Sequence, residues 1–66
     1  MVIKVIELIG TSSKGFEAAL DEAVSRASKT VRDITGVNIV SQTAKVKDGK
    51  VSEYRVTAKI AFVVEA

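Results

Sequence analysis

The sequence contains no cysteine and no histidine. Without cysteine there is no disulfide and no thiolate metal site. Without histidine there is no Ser-His-Asp triad, no imidazole base and no His-ligated zinc. Tryptophan is absent, and the aromatic residues are Phe16, Tyr54 and Phe62 alone. Long apolar runs are missing too: the run at 60–64 stops at Glu65, far short of the ~20 residues a membrane helix needs, and no signal peptide is visible. Strong charge is also lacking, with a formal net charge of +2. The surplus lies in 43–66, where Lys45, Lys47, Lys50, Arg55 and Lys59 face Asp48, Glu53 and Glu65. That bias is too weak for a nucleic-acid footprint. Neither nucleic acid nor membrane is therefore expected as a partner. The absence of cysteine agrees with a cytoplasmic location.

What is present is apolar: 47% of 66 residues. A chain of this size reads as one domain, 1–66, and buries only about 60% of its unfolded surface on folding. Ordering it costs on the order of 100 kcal/mol. With disulfides excluded and no thiolate or imidazole to hold a metal, association with identical copies is the remaining source of stability. The high apolar share fits subunits that bury surface on one another.

Residues 2–9 (VIKVIELI) are rich in β-branched types and predict a strand that Gly10 ends. Thr11, Ser12 and Ser13 are N-cap candidates for a helix. Phe16, Ala19, Leu20, Ala23, Val24, Ala27, Val31 and Ile34 then recur at spacings of three and four. They predict one amphipathic helix about 30 Å long, with Glu22 and Arg26 as an i,i+4 ion pair on its polar side. Gly36 stops it, either as a left-handed C-cap or as the mark of a pocket without a side chain. Asp48-Gly49 is a two-residue hairpin turn joining strands 37–47 and 50–65. That turn pairs Lys47 with Lys50. On the helix face it sets Thr43 opposite Tyr54, Ser41 opposite Val56, Ile39 opposite Ala58 and Val37 opposite Ile60. On the other face it sets Gln42 opposite Arg55, Val40 opposite Thr57, Asn38 opposite Lys59 and Gly36 opposite Ala61.

The expected fold class is α+β: a β-α-β-β chain with a three-stranded antiparallel sheet curled around one long helix. One helix cannot cover both sides of such a sheet. Val40, Ala44, Val46, Val51, Ala61 and Val63 are left on the uncovered side, and the first strand is oily on both faces. Such patches mark subunit interfaces.

Gly10 and Gly15 have the glycine spacing of a phosphate-binding loop, but Phe16 and Glu17 stand where that loop requires lysine and a hydroxyl residue. A plain strand-to-helix turn is the better reading. Glu17, Asp21 and Glu22 cluster where the helix dipole favours negative charge anyway. No nucleophile accompanies them, and no enzyme is expected. Single-stranded nucleic-acid binding is a remote alternative, because all three aromatics belong to the helix stripe or the core face and leave no stacking platform.

Leu8-Ile-Gly-Thr-Ser-Ser, Phe16, the helix residues Ala23, Arg26 and Ala27, Glu53-Tyr54 and Ala61-Phe62 together resemble the dodecin family over essentially the whole chain. The resemblance implies a β-α-β-β subunit in a hollow homododecamer that binds a small molecule, riboflavin or FMN, between subunits for storage. It also places candidate ligand positions at Gly36, Ser41, Gln42, Lys45 and Arg55. At these positions the chain departs from the family pattern. Gly36 stands where flavin-binding dodecins carry a stacking tryptophan, and Arg55 stands where they carry a ring-binding glutamine. Weakened or altered flavin binding is the expectation, with a flavin-free shell holding a cation or another anionic ligand as the alternative. Arg55 either stacks on a flat ring or binds an anion, or simply pairs with Glu53 or a neighbouring subunit's carboxylate.

Overall fold

A computed structural model describes residues 1–65 as β1 (Val2–Ser12), α1 (Phe16–Ser28), β2 (Ile34–Lys47) and β3 (Lys50–Glu65). The strands form one antiparallel sheet in the order β1-β3-β2. The expected β-α-β-β fold is therefore present.

Three local expectations need correction. The helix has 13 residues, not the length predicted through Ile34. Hydroxyl and β-branched residues end it. Ser28 Oγ donates to the Ser25 carbonyl (2.7 Å) and Thr30 Oγ1 to the Ala27 carbonyl (3.5 Å), while the Thr30 and Val31 amides both converge on Ala27 (3.1 and 2.9 Å). Such back-bonding competes with the helical ladder. Val31 and Ile34 keep the helical spacing, but the chain spends them on the connection and on β2. Gly36 is consequently no C-cap. It lies inside β2, and the residue held at positive φ is Asp33 (57°), a type that tolerates the left-handed region. At the other end none of Thr11, Ser12 and Ser13 caps the helix. The cap is Gly15, whose carbonyl accepts the Ala19 amide (3.0 Å), while the Ser12 hydroxyl accepts the Lys14 amide (3.0 Å).

The core is small. Ala19, Ala23 and Ala27 form one buried stripe at helical spacing; Ala19 packs with Val56 and Ala58 of β3, and Ile60 of the same strand is buried as well. The alanines let the helix lie close, and Gly10 of β1 sits directly beneath Ala19 and Ala23. Gly10 does not end the first strand, which runs on to Ser12; its phosphate-loop spacing has a packing cause, because the residue is a point of close approach inside the strand. The Phe16 ring meets Tyr54 edge-on at 4.9 Å. Glu22 and Arg26 pair as expected (3.2 Å).

The helix packs on β1 and β3. In β2 every residue except Ile34 is exposed. The outer face of β1 is bare as well, with Ile3, Val5 and Ile9 more than half exposed. The radius of gyration is 13.4 Å, against the roughly 11 Å expected of a compact chain of this length.

Candidate functional site

The Asp48-Gly49 turn has both φ values positive (54° and 74°), as a type I′ hairpin requires. It pairs Lys47 with Lys50 and Val46 with Val51, as the turn dictates. The register then slips. Lys45 faces Glu53, which leaves Ser52 as an extra residue on β3; it slips back between Ile39 and Ser41, which leaves Val40 as an extra residue on β2. Such bulges leave a residue unpaired. The Ser52 hydroxyl meets part of the deficit by donating to the Lys45 carbonyl (3.3 Å).

Between the two bulges every pair is offset by one. Thr43, not Gln42, stands opposite Arg55; Gln42 faces Val56, Ser41 faces Thr57 and Ala44 faces Tyr54. Directly opposed residues in an antiparallel pair share a face. Gln42 and Ala44 therefore join the helix side, while Thr43 joins the outer side. Outside the bulges the expected pairs Ile39–Ala58, Val37–Ile60, Asn38–Lys59 and Gly36–Ala61 are present. From Tyr54 to Ile60 the third strand keeps its expected faces, with Tyr54, Val56, Ala58 and Ile60 turned to the helix; Ala44, Val46 and Val51, expected on the uncovered side, lie on the helix side instead, because the bulge at Ser52 shifts the alternation.

The outer face thereby gathers Ser41, Thr43 and Lys45 of β2, Glu53, Arg55 and Thr57 of β3, and Thr11 of β1, which pairs with Arg55 from the other side. Of the candidate residues Ser41, Lys45 and Arg55 come together here, and Gln42 does not. Gly36 lies on the same face but opposite Ala61, about 20 Å from Arg55 along β3 at ~3.3 Å per residue. One subunit cannot bring both onto one small ligand. Thr43 and Thr11 were missed, Thr43 because of the bulges. The signal available was the break in alternation at Ile39-Val40 and Ser41-Gln42-Thr43, two adjacent apolar residues followed by three polar ones.

Arg55 is engaged: its Nε donates to Glu53 Oε2 at 2.7 Å, with both side chains still partly exposed. The hydrogen bond from Arg55 holds the Glu53 carboxyl below the usual carboxylate range. Partial desolvation opposes that shift, and the charges of Arg55 and Lys45 assist it. The pair is intact at neutral pH and is lost only as pH falls through that lowered value. A β-carbon built at Gly36 meets nothing within 4 Å, so the position is open at the β-carbon in the isolated subunit. A cavity of about 330 Å³ lies elsewhere, between β1 and the helix, lined by Leu8–Thr11, Glu22, Ala23 and Arg26. It contains none of the candidate ligand positions. Among the described residues no cluster of three carboxylates is placed to hold a cation within one subunit.

The model of the dodecin family matches residues 2–65. The chain is 36% identical over 64 residues to dodecin of Thermus thermophilus, a match covering 97% of this chain and 93% of that protein. It is 38% identical over 61 residues to calcium dodecin of Mycobacterium tuberculosis, covering 92% and 86%. A crystal structure of the Thermus protein superposes with a TM-score of 0.94 at 35% identity, covering 98% of this chain and 96% of that one. Dodecin of Streptomyces coelicolor also gives 0.94, at 32% identity over 98% and 93%. The Mycobacterium protein, described as calcium-chelating with a novel calcium-binding site, gives 0.85 at 38% identity over 98% and 93%.

Proposed function

The chain belongs to the dodecin family, a family of non-catalytic small-ligand-binding proteins, and on that premise we propose that it binds a flavin-type ligand weakly, between subunits of a hollow homododecamer. The observation that carries the reading is the placement of Gly36 and Arg55. Both lie on the outer face of the sheet, which the helix does not cover, too far apart to act together within one subunit, so a site that uses both spans a subunit contact. Weakness follows from the residues. No ring stands at Gly36, and Glu53 already occupies the guanidinium of Arg55.

Restoring the ring tests this directly. Stacking contributes about 0.5–1.5 kcal/mol per aromatic pair beyond buried area, and two copies facing one ligand double it. Gly36→Trp is expected to tighten riboflavin binding by about fivefold to 150-fold, read as quenching of riboflavin fluorescence at micromolar protein. Quenching unchanged from wild type would mean that no pocket exists at this position. The alternative, a shell that takes calcium, needs oxygen ligands from several subunits, because calcium requires six to eight and no single subunit groups three carboxylates among its described residues. Calcium added at millimolar concentration, with riboflavin quenching absent and the melting temperature raised, would favour it.

A further inference from the structure

The outer face of the sheet is polar toward the hairpin turn. One row across the three strands reads Thr11, Arg55, Thr43, and the row beside it reads Ile9, Thr57, Ser41. Neighbouring strands lie about 4.8 Å apart, so Arg55 rises between two hydroxyls, with those of Thr57 and Ser41 about 6.6 Å farther along the sheet. Among the described residues none of the hydroxyls of Thr11, Ser41, Thr43 and Thr57 has a hydrogen-bond partner. Glu53 accepts from Arg55 at Nε alone, at 2.7 Å, and both Nη groups are left without a partner. A guanidinium is planar, so the bond at Nε fixes the direction of the Nη fork.

Charge accumulates on the same face. Lys45 lies opposite Glu53, and Lys47 lies directly opposite Lys50, a like-charge pair that costs stability while no anion lies near it. With Arg55 these cations outnumber the carboxylate of Glu53, and Asp48 sits in the turn itself. Farther down, Glu7 opposite Lys59 makes a neutral row. The face carries no ring, because Tyr54 and Phe62 alternate to the helix side and Phe16 packs on Tyr54. It therefore offers donors and positive charge without a stacking surface. We propose that this end of the outer face binds the phosphoryl group of a small ligand, held by the Arg55 Nη fork, the Thr11 and Thr43 hydroxyls and Lys45. A phosphoryl group brings nearly two negative charges and three acceptor oxygens, enough for the fork, the hydroxyls and the ammonium together. A carboxylate has two oxygens, which the fork alone would satisfy. The inference goes beyond the flavin reading, since neither Gly36 nor a ring takes part in it.

Calorimetric titration with inorganic phosphate and with ribose 5-phosphate, each against chloride at equal ionic strength, tests the site. Saturable binding of phosphate at millimolar concentration is expected, and none of ribose. Tighter binding of ribose 5-phosphate than of phosphate would make a phosphomonoester the source of the group; equal binding would make it the free ion. Arg55→Gln is expected to weaken phosphate binding at least about tenfold, and Thr43→Val, which exchanges a hydroxyl for a methyl, about two- to tenfold. Lys29→Gln removes the same charge from the exposed end of the helix and is expected to change it less than about twofold. Equal losses from Arg55→Gln and Lys29→Gln would mean that net charge alone holds the anion. That result, an absence of saturable heat, or an oligonucleotide that binds more tightly than ribose 5-phosphate would overturn the proposal. Riboflavin quenching that fails while phosphate still saturates would overturn the flavin reading alone.

Discussion

Gly10→Ala is expected to destabilise the fold by about 3 kcal/mol, the upper end of what overpacking costs. A β-carbon at Gly10 falls 2.0 Å from the Ala19 carbonyl oxygen and 2.9 Å from the Ala23 methyl. The first of these is backbone and has no rotamer to change. The helix must lift off the sheet, which separates Ala19, Ala23 and Ala27 from Val56, Ala58 and Ile60, nearly the whole of the core. Gly15→Ala and Gly36→Ala are controls, since a β-carbon at either meets nothing within 4 Å. Urea melts at one fixed subunit concentration measure all three. A Gly10→Ala protein as stable as the Gly36→Ala protein would mean that the helix does not sit this close to β1.

The second large effect is on assembly. Val63 lies opposite Ile3 on the outer face, beside the pair Val5–Ala61. These residues form an apolar patch that the helix, on the other side of the sheet, leaves uncovered. An aspartate at Val63 would be desolvated without a partner in a subunit contact. That costs on the order of 3 kcal/mol, so Val63→Asp is expected to raise the subunit concentration at half-assembly about a hundredfold. Val40→Asp, at the bulge in β2, is expected to act in the same direction. Sedimentation equilibrium across a dilution series reads both. Undiminished assembly with the charge in place would remove Val63 from any interface.

The parts of this molecule that the sequence reveals are those governed by short-range chemistry. The Asp48-Gly49 turn, the alanine stripe of the helix and the inward face of β3 are each set by neighbours a few residues apart, and each is present as read. The errors come from competition between local signals. Val31 and Ile34 continue the helical spacing, but the hydroxyls of Ser28 and Thr30 end the helix first, and Asp33 makes the left-handed turn that glycine was expected to make.

The candidate site was harder to read than the fold. Its composition depends on the two compensating bulges at Val40 and Ser52, which exchange Gln42 for Thr43 beside Arg55 and leave the pairs at the turn and from Gly36 to Ile39 in the expected register; a further shift follows only between Gly36 and Ile34. A single slip would have displaced every pair beyond it. Two slips of opposite sense hide from any argument that starts at the turn. The partner of Arg55 was legible, because Glu53 two residues away on the same strand points to the same face. What Gly36 faces was not, since that depends on a neighbouring subunit.

All of this requires that a thin sheet, covered on one side of two strands only, be completed by copies of itself. Sedimentation velocity of the wild-type protein in dilute neutral buffer tests that requirement most directly. The expected result is a single particle of about twelve subunits; a folded, stable monomer of 7.0 kDa would contradict it.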